Sequence, residues 1–226
     1  MEYINFFATI LTILQSDPYK VILLILVFAL IVLIPTYKLI INSIRYGLLD
    51  FFSQKDNPKK SDKVLSEKIR KADEIKILFT TGAGFFSSFK TSLIPAIKNN
   101  ATIKILIGAK DQLFLNDVNR IEGRPINSNI NLEVDQVIRV VEEIRKAAGV
   151  DNTRIELKHF STEFRTSMIL IDSGKGKWGK LTLTLPPAKA ADSMSFYIRG
   201  KLFYNKNKDN IYEQCENHFD EIWKIY

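Results

Sequence analysis

Polar and apolar positions divide this chain into two regimes. From Val21 to Ile34 the residues VILLILVFALIVLI run fourteen long without a polar side chain, and from Ser61 onward apolar residues instead recur with strand or helix spacing. Continued through Pro35 and Lys38 to about residue 42, the first run has the roughly twenty residues that an α-helix needs to cross a hydrocarbon core of about 30 Å. Its Leu, Ile, Val and Phe side chains contribute roughly −4 to −8 kcal/mol on an insertion scale, more than one Lys near the interface costs. The pattern predicts a transmembrane helix over residues 20–42, kinked near its end by Pro35.

Ahead of it, YINFFATILTILQ (residues 3–15) is too short to span alone and ends at the turn signal Asp17-Pro18, so it is expected as an interfacial or re-entrant helix. A cleaved signal peptide would need a basic start and a small-residue cleavage site, whereas Met1 to Asp17 holds Glu2 and Asp17 and no Lys or Arg. Lys20 alone precedes the apolar run, while Lys38, Arg45, Lys55, Lys59, Lys60 and Lys63 follow it. That bias places the C-terminal side in the cytoplasm, as a single-pass protein.

The remaining pattern alternates. The polar stretch Ser53 to Asp62, SQKDNPKKSD, reads as a linker, with the linker set at residues 51–61 and one domain over 62–226. Val64 to Ala72 reads as a short helix, Ile75 to Phe79 as a buried strand, and Thr80-Thr81-Gly82-Ala83-Gly84 as a loop. A helix capped by Thr91 or Ser92 carries Pro95 in its first turn, and Ile103 to Ile107 completes a βαβ unit with parallel strands. Residues 110–130 read as loop. Val134, Val137, Ile138, Val141, Ile144 and Ala148 form the stripe of a helix that Gly149 ends. Strands follow at Ile155 to Phe160, Thr166 to Ile171, Leu181 to Leu185 and Ser195 to Phe203, with Gly174, Gly176 and Gly179 in a turn. A helix from Lys208 to Tyr226 closes the chain. The expected class is α/β with a mixed sheet and helices on both faces.

Charge sharpens this picture. The net charge is +7, and residues 1–50 hold three basic and three acidic side chains, so the excess belongs to the domain and suits a polyanion or an anionic leaflet. One cysteine, Cys215, excludes a disulfide framework. Cys215 and His218 stand i, i+3 on the last helix, but Cys215 falls on its apolar stripe and no third ligand is in sight, so no metal is expected, and no cofactor either. The Thr80–Gly84 loop offers backbone N–H groups to a phosphate but lacks a G-x-x-x-x-G-K-[ST] or G-x-G-x-x-G pattern.

The series ADEIKILFTTGAGFF, LIPAIKNNATIKILIGA, IELKHFSTEFRTSMILIDSGKGKWG and HFDEIW, read in that order, resembles the bacterial phospholipase D-like domains over about residues 62–226. Active members of that family carry H-x-K-x4-D, with the histidine as nucleophile and a second copy, in the same chain or a dimer partner, as acid. Here Arg165, Ser167 and Asp172 stand in those places, and Asp192-Ser193-Met194-Ser195 corresponds to the family's G-S-x-N. Arginine stays protonated and cannot attack phosphorus, and neither histidine is followed by x-Lys. The resemblance therefore implies a pseudoenzyme, not an enzyme. Its pocket would hold a nucleotide or single-stranded oligonucleotide through Arg165, Ser167, Asp172, Thr80, Thr81, Gly82, Ser193 and His159.

A membrane segment fused to such a domain is similar in architecture to transmembrane effectors of bacterial anti-phage defence, cyclic-nucleotide-gated or of the Hailong type. One span cannot enclose a pore, so the expected assembly is a homo-oligomer. Two rivals remain open: a membrane-tethered phospholipase D-type nuclease or lipase, and a ligand-free scaffold resting on anionic lipid.

Overall fold

The computed structural model describes residues 43, 46–53, 58–110, 130–162, 166–183, 194–200 and 210–226. The expected membrane helices, Pro35 and site residues Arg165 and Ser193 lie outside them. Among the described residues, no helix is long and apolar enough to cross a membrane. From residue 46 onward they belong to one compact unit, Arg45–Tyr226.

In chain order the elements are β1 (Leu48–Ser53), α1 (Pro58–Arg70), β2 (Glu74–Phe79), α2 (Ala83–Lys98), β3 (Thr102–Gly108), α3 (Ile130–Ala148), β4 (Ile155–Phe160), β5 (Thr166–Asp172), β6 (Lys177–Leu183), β7 (Met194–Arg199) and α4 (Ile211–Ile225). The described strands form one sheet in the order β1-β7-β6-β5-β2-β3-β4. β2, β3 and β4 run parallel, each joined to the next through a helical crossover, and the pairs from β2 to β5 and on to β1 are antiparallel. The sheet is thus mixed, as the alternation of elements predicts.

Strand alternation splits the core in two. Ile75, Ile77, Ile103, Ile105, Ile169, Ile171 and Trp178 pack beneath α1, α2 and α3. Leu78, Leu106, Met168, Leu170 and Ile198 pack on the opposite face against Tyr212, Phe219 and Ile222 of α4. The described helices therefore cover both faces, three on one and one on the other.

Several boundaries differ from those expected. α2 begins at Ala83 rather than near Thr91, so Pro95 is interior. Phe86, Phe89, Leu93, Ala96 and Ile97 all face the core, and burying this stripe outweighs the one hydrogen bond Pro95 forfeits. The linker region opens within a strand, since β1 runs to Ser53 and pairs with β7. α1 likewise starts earlier, at Pro58. Gly179 lies inside β6, not in a turn. A Cβ there would come within 2.9 Å of Ile198 and 3.0 Å of Leu170, so only glycine lets the strand pack this closely.

α4 is capped by Asn210, whose buried side-chain oxygen accepts from the Tyr212 N–H at 2.9 Å and the Glu213 N–H at 3.4 Å. Asn210→Ala is expected to lower stability by about 1 kcal/mol in urea unfolding, since it strands these donors. An unchanged midpoint would show that water replaces the cap.

Candidate functional site

Where the parallel strands end, β2 gives way to Thr80, Thr81 and Gly82. Gly82 adopts φ +78, and a Cβ there would meet the Phe79 ring at 2.7 Å, so both backbone and space demand glycine. The Thr81 hydroxyl is buried and donates to Glu133 Oε2 at 2.7 Å, from the first turn of α3. Thr80 accepts the Gly108 N–H at 3.0 Å. The loop is a tight βα turn whose Thr81 hydroxyl is spoken for by a carboxylate, and its role is to tie β2 to β3 and α3.

The next strand over presents more. Ser167 of β5 stands opposite Thr182 of β6, and Thr182 opposite Ser195 of β7. Because Ile169 and Ile171 face α1 to α3, alternation puts Ser167 on that same face, and Thr182 and Ser195 follow by register. Three hydroxyls therefore cross three adjacent strands: Ser167 and Thr182 are half-buried, and Ser195 is fully buried with its hydroxyl 3.0 Å from that of Thr182. Two residues back along β6 on this face is Lys180, whose burial pushes its pKa below the ordinary lysine value, with Asp62 of α1 opposing the shift. On the other flank, half-buried Phe79 and Phe85 stand with ring centroids 5.2 Å apart, and Phe85 lies 5.0 Å from Phe89. A cation, a hydroxyl row and partly open aromatic rings can bind an anion carrying a planar base.

The predicted residues do not all gather here. Thr80, Thr81, Gly82 and Ser167 lie at one end of neighbouring strands. His159 is exposed at the same end, opposite Ile107, but three strand steps away, about 14 Å from Ser167. Asp172 is at the far end of β5, about 17 Å from Ser167 along the strand. There it accepts the Gly174 N–H at 3.1 Å and stands 3.9 Å from the Lys177 ammonium. Its work is to shape the β5–β6 turn. Ser195 entered the sequence reading only as a motif remnant, and Lys180, Thr182, Phe79 and Phe85 not at all, because register and pleat alone place them together.

A second charged cluster joins α4 to the sheet. The buried Lys76 ammonium lies 2.9 Å from Asp220, 3.4 Å from Glu216 and 3.9 Å from Glu74. Lys177 reaches Glu216 at 2.5 Å. Burial opposes its charge, but Glu216 prevails and holds its pKa above the lysine norm. Burial also pushes the Cys215 thiol up to about 11, as befits a core thiol. Among the described residues no group of three His, Cys, Asp or Glu could hold a metal ion.

No family model and no curated protein matches the sequence. Solved structures do share its outline. The chain is similar to Nuc of Salmonella typhimurium, a phospholipase D family member, with 14% identity and a TM-score of 0.43 over 77% of this chain and 93% of that one. NucT from Helicobacter pylori matches at 11% identity and TM-score 0.46, covering 77% of this chain and 94% of that one. TrmBL2, an archaeal chromatin protein with a novel mode of DNA binding, matches at 13% and 0.46, covering 98% and 67%. Such scores describe a common arrangement of strands and helices and carry no activity across.

Proposed function

We propose that the domain binds a nucleotide or short single-stranded oligonucleotide at one end of strands β2, β5, β6 and β7 without hydrolysing it, and that binding controls an oligomeric membrane assembly. The observation that carries this is the half-buried pair Ser167 and Thr182, backed by buried Ser195, with Lys180 two residues along β6 from Thr182 and Phe79 and Phe85 on the flank towards β2. Hydroxyls and the ammonium suit a phosphodiester, and the rings suit a base. Arg165 and Ser167, in place of a nucleophilic histidine and its lysine, support binding over hydrolysis. The Val21–Ile34 run supplies the anchor, with the domain on the cytoplasmic side of a bacterial cell membrane. As in anti-phage effectors, the ligand would shift closed and open arrangements by binding one better than the other.

The test is fluorescence anisotropy on the full chain in detergent, with labelled oligodeoxynucleotides, oligoribonucleotides and cyclic dinucleotides. The Lys180→Gln/Thr182→Ala double variant is expected to weaken binding of one class by about tenfold, or about 1.4 kcal/mol. For a single strand each phosphate contact steepens the dependence of log affinity on log salt by about 0.7. Absence of binding to all three classes, or an unaffected double variant, would discard this site. Phosphodiester hydrolysis lost in His159→Ala would make the protein an enzyme.

A further inference from the structure

The end of the sheet opposite the hydroxyl row carries cations of its own. Lys68 and Arg70 lie in the last turn of α1 with Lys71 just beyond, Lys98 ends α2, Lys146 lies in the last turn of α3, and Lys175 in the β5–β6 turn. All six are exposed. Backbone bonds hold these connections together: Asp73 N–H donates to Asp172 O at 2.7 Å, Thr102 N–H to Asp73 O at 2.9 Å and Ile103 N–H to Arg154 O at 2.8 Å. Against the six, the exposed acids of these same turns are Glu67, Asp73 and Asp151. A basic rim thus frames one end of the domain.

The chain enters the domain at this end. Arg199 N–H donates to Gly47 O at 2.8 Å, and Gly200 N–H to Lys177 O at 3.0 Å, which sets the start of β1 beside the β5–β6 turn. From residue 42, where the apolar segment ends, to Gly47 the chain spans at most about 18 Å.

We propose that this rim lies against the membrane and binds anionic phospholipid headgroups, leaving the hydroxyl-row end turned towards the cytosol. The inference rests on the membrane-anchor reading for the short tether, and on the fold for the placement of the cations. Helix C-termini with their carbonyls repel phosphate by themselves, so the six side chains must supply the attraction. Within a Debye length of an anionic leaflet each supplies a share, and high salt removes it.

The experiment is amine footprinting by mass spectrometry on the full chain in nanodiscs of phosphatidylcholine, with or without about one third phosphatidylglycerol. Labelling of Lys68, Lys71, Lys98, Lys146 and Lys175 is expected to fall about threefold in anionic discs and to recover near 0.5 M salt, with exposed Lys110 at the opposite end unchanged. Equal labelling in both discs overturns the proposal. So does equal protection by inorganic phosphate added to zwitterionic discs, which would make the rim a site for free phosphate. Failure to insert into zwitterionic discs would instead defeat the anchor reading. Flotation of the chain with anionic vesicles, lost in Lys98→Glu/Lys146→Glu, then supports the rim by itself, and no flotation overturns it.

Discussion

Replacing Gly47 by alanine is expected to destabilise the domain by about 3 kcal/mol or more, the sum of backbone strain and overpacking. Gly47 holds φ +79, a conformation that costs a residue with a Cβ about 1–2 kcal/mol. Space adds the rest. The new methyl would run into the Arg199 carbonyl and approach the Asn210 amide nitrogen to 2.6 Å. Neither can yield cheaply, because Arg199 N–H pairs with Gly47 O and Asn210 caps α4. Gly149→Ala provides the control. Its φ of +71 is nearly the same, but nothing lies within 4 Å of its added Cβ, so it should cost only the strain, about 1–2 kcal/mol. Urea unfolding followed by tryptophan fluorescence measures both. Equal losses would mean that the packing at Gly47 relaxes and that the close approach contributes nothing.

Lys76→Ala should cost about as much, near 3 kcal/mol, for an electrostatic reason. The ammonium sits among Glu74, Glu216 and Asp220, with Lys76 and Glu216 largely shielded from water and Asp220 more open. Removing the cation leaves carboxylates facing one another between α4 and the sheet. Lys177 still partners Glu216, which keeps the loss below that of a fully isolated charge. Lys76→Ala combined with Glu216→Gln and Asp220→Asn should recover much of the stability, since it removes the uncompensated charges too. If the triple variant is no better than Lys76→Ala alone, the effect belongs to lost packing of the lysine stem.

The two networks divide the molecule by purpose. The Lys76 cluster and the Asp172 turn secure the fold at one end and along the α4 face, where charges neutralise one another. At the other end Lys180 and the hydroxyl row stand beside rings that are only partly covered. The proposed ligand site is where the half-buried rings of Phe79 and Phe85 stand beside the half-buried hydroxyls of Ser167 and Thr182.

The sequence by itself determined the local elements and the class. Strands β2, β3, β4 and β5 and helix α3 were legible because each has an apolar run or stripe of matching period, and Gly149 with φ +71 ends α3 where the stripe stops. Parallel pairing of β2 and β3 followed from the helix that connects them, since a crossover returns the chain to the same end of the sheet. The stripe Phe86, Phe89, Leu93 was there to be read as well, but Pro95 masked it, since a proline argues against an interior helical position until burial is weighed.

Only the tertiary structure decided what stands beside what. β1 joins the sheet through a partner some 140 residues away, and no local pattern encodes that pairing. Ser167, Thr182 and Ser195 become neighbours through two antiparallel registers, and a shift of one residue would turn Thr182 to the opposite face. By the same rule Asp172, five residues from Ser167 in an extended strand, is carried to the other end of the sheet, although motif spacing groups the two. Period reveals which side of an element is buried, but long-range register, fixed by the packed core as a whole, chooses which side chains share a site.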